Sequence, residues 1–96
     1  MRHAFHPEAQ AELEAAIEYY EGCKAGLGVD FAAECFACLR AIENHPAAWP
    51  VLEGELRRCL LRRFPYGIVY VAAGGRVLVV AIMHLHRQPG YWRDRT

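Results

Sequence analysis

Ala9, Leu13, Ala16, Ile17 and Tyr20 recur at spacings of three and four, the repeat of one face of an α-helix. Pro7 suits the first turn of such a helix, where its missing N–H would have no partner anyway. The pattern predicts a helix from residue 8 to about 24, with Glu8, Glu12, Glu14, Glu18 and Glu21 over much of the remaining surface. The earliest of these carboxylates also suit the helix dipole. Gly22, Gly26 and Gly28 mark the end of the helix and a turn. Asp30 is the expected N-cap of a second helix, striped by Phe31, Cys35, Cys38, Leu39 and Ile42 and widened by Phe36. Asn44-His45-Pro46 closes it, and Pro50 is expected to keep the next stretch irregular.

Beyond Glu55 the chain turns to β-formers. Residues 56–64, 68–72 and 76–85 read as strands, with a turn or bulge at 65–67 and a tight hairpin at Gly74-Gly75. In the last strand Val77, Val79, Ala81 and Met83 alternate with Leu78, Val80 and Ile82, so both parities are apolar. Such a strand is central and covered on both faces. The helical pair can cover one face; the other must meet loops, the C-terminal tail or a second protein. A short β-compatible stretch at 2–6 precedes the first helix. The fold class is therefore α+β: a short N-terminal strand, a helical hairpin, then an antiparallel sheet, in one small domain over residues 1–96.

Composition narrows the picture. At 54% hydrophobic and 23% charged, a 96-residue chain is not intrinsically disordered. Its longest apolar run, residues 77–83, falls far short of the roughly 20 residues of a membrane helix. Met1-Arg2-His3-Ala4-Phe5-His6-Pro7 has no apolar signal core, so a cytoplasmic protein with no membrane partner is expected. The net charge of zero hides a division. Residues 1–55 carry ten acidic and three basic side chains, net −7, whereas residues 56–96 carry eight arginines against Asp94, net +7. Such asymmetry points to an anionic partner for the basic half.

Two constellations could carry chemistry. Arg57-Arg58 and Arg62-Arg63 flank Cys59-Leu60-Leu61 in one predicted strand, with Arg57 and Arg63 on one face. An unbroken strand would set those two roughly 20 Å apart. Such a row can follow a phosphate backbone, receive the carboxylates of a protein, or simply guard an edge against pairing. The second constellation is the tail, His84-Leu85-His86-Arg87-Gln88-Pro89-Gly90-Tyr91-Trp92-Arg93-Asp94-Arg95. Imidazole and phenol can move protons, guanidinium can stabilise a developing phosphorane charge, and aromatics can stack on bases. RNA cleavage by a 2′-hydroxyl needs those functions and no metal. Alternatively, Tyr91 and Trp92 clamp the tail to the core and the charges are solvated.

The cysteines at 23, 35, 38 and 59 are expected to be free thiols. Cys35-Phe36-Ala37-Cys38 lies mid-helix on an apolar stripe, so packing explains it better than redox or zinc chemistry. G-x-S-x-G, H-E-x-x-H, P-loop and dinucleotide motifs are all missing, and neither cofactor nor metal is expected.

The ordered set Leu13-Glu14, Tyr19-Tyr20, Gly26-Leu27-Gly28, Phe31, Arg57, Arg63-Phe64-Pro65-Tyr66-Gly67-Ile68-Val69-Tyr70, Gly74-Gly75 and His84 to Trp92 resembles the RelE/ParE superfamily of type II toxin–antitoxin toxins, also called plasmid stabilisation proteins. The resemblance spans nearly the whole chain. It implies a small α+β toxin that arrests growth and is neutralised by a cognate antitoxin, with operator DNA bound only through that antitoxin. RelE-like members cleave mRNA on the ribosome; ParE-like members poison DNA gyrase. RelE-like enzymes generally carry an arginine where this chain has Gly67, and Phe64-Pro65-Tyr66 leans to the ParE-like side. The resemblance therefore favours a gyrase-directed toxin. The alternative is a metal-independent mRNA endoribonuclease, with Arg57 and Arg63 holding phosphates, Arg87 stabilising the transition state and His84, His86 or Tyr91 exchanging protons. A toxin without remaining activity is a third reading.

Overall fold

A computed structural model describes residues 2–95 and contains both helices, α1 (Pro7–Cys23) and α2 (Leu27–Asn44). His6 caps α1, its Nδ1 accepting the Glu8 N–H at 3.1 Å. α2 starts earlier than an Asp30 cap would allow: its N-cap is Gly26, at φ 88°. The cap is supplied from outside the helix. The Glu21 carboxylate, in the last turn of α1, accepts the N–H groups of Gly26 at 2.8 Å and Gly28 at 2.9 Å. Asp30 instead sits in the first turn, where its charge suits the dipole. Gly28 lets the helices touch, since a Cβ there would lie 2.4 Å from the Ile17 carbonyl oxygen.

Five strands, β1 (Arg2–Phe5), β2 (Val51–Glu53), β3 (Leu56–Leu60), β4 (Tyr66–Ala73) and β5 (Arg76–His84), form one sheet in the order β1-β5-β4-β3-β2. β1 runs parallel to β5 and the other neighbours are antiparallel. The α+β architecture and the inner position of β5 agree with the sequence. Gly74 and Gly75, at φ 59° and 76°, supply the two left-handed residues that a two-residue hairpin needs.

Three details differ from expectation. β2 follows Pro50 directly, because a proline flanking an edge strand removes no ladder bond; its carbonyl accepts the Arg58 N–H. β3 ends at Leu60 rather than at 64. There the chain turns so that Leu61 and Phe64 drop into the helix-side core, and Glu34 of α2 accepts the backbone N–H groups of Arg62 and Arg63. The four arginines are consequently not one strand row. Finally, Val69 pairs with Ala81 while Tyr70 pairs with Val79, which leaves Val80 as a bulge. The bulge changes the parity of β5: Val77, Val79 and Ile82 face the helices, and Val80, Ala81 and Met83 face away.

The face away from the helices carries a second cluster of Leu56, Val69, Val80, Ala81 and Met83, closed by Trp92, which is 1% exposed. The tail is thus the cover that the two-sided apolar strand required.

Candidate functional site

β1 pairs with β5 only as far as Phe5 and Val79, after which the chain leaves as α1. This strands the edge of β5 at Val80 and Ile82 without a neighbouring strand. Two side chains replace it. Glu12 Oε1 accepts the Ile82 N–H at 3.0 Å, and Arg95 Nη1 donates to the Val80 carbonyl at 3.1 Å. The pair is joined two-fold, Arg95 Nη1 to Glu12 Oε1 at 2.9 Å and Nη2 to Oε2 at 3.0 Å. Glu12 is 15% exposed and the Arg95 side chain 7%, so water does little for either charge. Arg87 Nη1 also reaches Glu12 Oε2, at 3.3 Å, and its guanidinium lies 3.6 Å from the centre of the Tyr91 ring. The Arg95 guanidinium lies 5.0 Å from the same ring. These contacts fix the tail through a carboxylate of α1.

Burial, reinforced by the negative charge of Glu12, pushes the Tyr91 phenol up to about 12. Tyr20, Tyr66 and Tyr70 are also raised, chiefly by burial. A phenol with a raised folded-state pKa holds its proton more tightly folded than unfolded. The resulting stability is present below the unfolded value near 10 and is lost as pH rises through about 12. Stability measured by denaturant titration should therefore fall over that alkaline window, together with the appearance of tyrosinate absorbance. A flat profile would contradict the burial of these phenols.

Four of the six residues singled out for RNA chemistry come together here. His84 is directed to the helix side by the bulge and lines a groove of about 210 Å³ with Glu12, Tyr19, Tyr66 and Arg87. His86 lies in the turn beyond β5 rather than on a shared strand face, yet its ring is 5.2 Å from that of His84 and its N–H donates to His84 Nδ1. Arg87 and Tyr91 complete the group. Arg57 and Arg63 lie elsewhere. Arg57 faces Tyr70, about 13 Å along β4 from Tyr66, the neighbour of His84. Its Nη1 donates to the carbonyls of Trp49 at 2.6 Å and Ala47 at 3.3 Å, and the Tyr70 hydroxyl donates to Pro46 at 2.6 Å. Both side chains fasten the α2–β2 connection. Arg63 pairs with Asp30 on α2 at 3.4 Å. At Gly67 the space a side chain would take is covered by the stem of Arg58, whose Cδ would lie 3.0 Å from a Cβ.

Half of the arginines of the basic half find an acid within the fold. Arg63 meets Asp30, Arg87 and Arg95 meet Glu12, and Arg93 meets Glu53 at 2.7 Å, so basic residues of the second half pair with acids of the first. Glu12 is one of five glutamates on α1, and composition does not single it out. Its signal was position: Ala9, Glu12, Leu13 and Ala16 follow i, i+3, i+4, i+7, which puts a carboxylate within the apolar stripe. Among the described residues no group of three or more His, Cys, Asp or Glu side chains is placed to hold a metal ion, and no helix is long and apolar enough to cross a membrane.

Comparison with known proteins places this geometry. No curated protein matches the sequence significantly. A solved structure described as the chromosomal ParDE TA system from P. aeruginosa matches with a TM-score of 0.72 and 18% identity, over 90% of this chain and 97% of the other; at that identity the likeness is one of fold. The family model for the ParE toxin of type II toxin-antitoxin system, parDE, matches residues 4–89, nearly the whole chain. The protein belongs to the ParE toxin family of type II toxin–antitoxin systems.

Proposed function

We propose that this toxin arrests growth in the cytoplasm by binding and inhibiting DNA gyrase, and that a cognate antitoxin neutralises it and alone contacts operator DNA. The observation that carries the choice of target is that the two arginines RNA cleavage would need to hold phosphates stand apart from the other four groups. Arg57 and Arg63 are held by the α2–β2 connection and by α2, and Gly67 offers no charge. Arg87 is committed to Glu12 and to the Tyr91 ring. A phenol at about 12 is a poor proton carrier at neutral pH. The pairing of Arg63, Arg87, Arg93 and Arg95 with acidic residues of the same chain also weakens the case for a nucleic-acid surface.

Purified toxin should inhibit supercoiling by gyrase, and mRNA should stay intact in arrested cells. Unaffected gyrase at large toxin excess overturns this reading. The ribonuclease alternative draws on the convergence of His84, His86, Arg87 and Tyr91. It requires codon-positioned cuts by primer extension, abolished in Arg87→Ala and Tyr91→Phe.

A further inference from the structure

Between α2 and β3 lies a groove of about 440 Å³. Two thiols line it: Cys38 of α2, partly exposed, and Cys59 of β3, buried. Cys35, one turn earlier on α2, is fully buried. Arg62 stands on the same rim, and its guanidinium makes no salt bridge among the described residues. Glu34, the acid beside it, accepts the backbone N–H groups of Arg62 and Arg63. The groove therefore presents one accessible sulfur next to an unpaired, planar cation suited to a carboxylate.

The chemistry of the three sulfurs diverges in the same sense. Interaction with the Cys59 S–H, helped by the charge of Arg62, holds Cys38 below the usual thiol range against the opposing effects of burial and Glu34. Cys59 is raised far above that range by the same interaction and by burial, and burial pushes Cys35 up to about 12. The thiolate is the nucleophile in disulfide exchange.

We propose that this groove is a thiol-modification site, at which Cys38 takes up a small carboxylate-bearing disulfide of the glutathione class while Arg62 receives one of its carboxylates. The Cys38 sulfur attacks one sulfur of the small disulfide, forming a new S–S bond. The original S–S bond breaks, and the departing thiolate takes a proton from water. Cys38 is oxidised and half of the small disulfide is reduced, so no other oxidant is involved.

The test uses the full chain carrying Cys23→Ser, because Cys23 is exposed and would react independently. Incubation with oxidised glutathione at neutral pH, followed by peptide mass mapping, should show one glutathione per chain, on Cys38. In that background Arg62→Ala should slow the reaction with oxidised glutathione several-fold more than that with the uncharged hydroxyethyl disulfide, which loses only the help the Arg62 charge gives the thiolate, with folding checked by circular dichroism. Cys38 remaining unmodified under conditions that modify Cys23 in the parent chain would overturn the proposal. So would equal slowing with both disulfides, or glutathione found on Cys35 or Cys59 in place of Cys38.

Discussion

Glu12→Ala is expected to lower the free energy of unfolding by about 3 kcal/mol or more, and to release the tail from β5. The cost is that of the partners left behind. Arg95 would keep a guanidinium that is 7% exposed with no carboxylate at its Nη atoms, and the Ile82 N–H would lose its acceptor. Glu8, at 3.4 Å from Arg95 Nε and itself well exposed, is a weak substitute. Arg95→Ala should fall short of this cost, because Glu12 would retain Arg87 and the Ile82 N–H. The double variant Glu12→Leu, Arg95→Met should regain only part of the loss. Buried ion pairs can often be replaced by apolar groups, but here Val80 and Ile82 would still present unpaired backbone groups at a bare strand edge. Denaturant unfolding of the parent, Glu12→Ala, Arg95→Ala and the combined Glu12→Ala, Arg95→Ala protein gives the coupling energy, and limited proteolysis reads the freedom of the tail. Coupling near zero would mean that the tail is held by its aromatic residues alone.

The division between what the sequence discloses and what it hides follows the range of the interactions. The helical hairpin, the β4–β5 hairpin and the apolar character of β5 rest on periodicity and turn chemistry among near neighbours, and all are legible. The start of α2 is misplaced because its cap comes from Glu21, five and seven residues from the N–H groups it binds. The end of β3 is misplaced because Leu61 and Phe64 find more burial against the helices than an extended strand allows, and because Glu34 receives the freed N–H groups. The Val80 bulge, which turns His84 toward the helices, breaks no pattern in a run that is apolar on both parities. For the candidate site, the tail's composition indicated where His84, His86, Arg87 and Tyr91 would gather. That Arg57 and Arg63 would be held elsewhere depended on carbonyls at 47 and 49 and on Asp30, which no spacing rule connects to them. The opposite charges of the two halves, which suggest an external anion, are accounted for by internal pairs at four of the eight arginines.

The second large effect belongs to Trp92. Trp92→Ala should cost about 3–5 kcal/mol, the range for deleting a buried aromatic side chain. For a 96-residue domain that is a large share of a total of roughly 5–14 kcal/mol, and the melting temperature should fall by more than about 10 °C. The indole is 1% exposed and is the largest side chain of the cluster with Leu56, Val69, Val80, Ala81 and Met83, against which the partly buried Leu52, Val71, Leu78 and Tyr91 also pack. Trp92→Phe should cost much less, below about 1.5 kcal/mol, because a phenyl ring fills most of the space. It also removes the indole N–H, which is buried without a hydrogen-bond partner among the described residues and so contributes no bond to lose there. Calorimetry distinguishes the two substitutions, and growth arrest gives an independent readout. If Trp92 serves only to close the core, Trp92→Phe keeps full toxicity whereas Trp92→Ala loses it in step with folding. Loss of toxicity in a stably folded Trp92→Phe would instead mean that the indole takes part in binding the target.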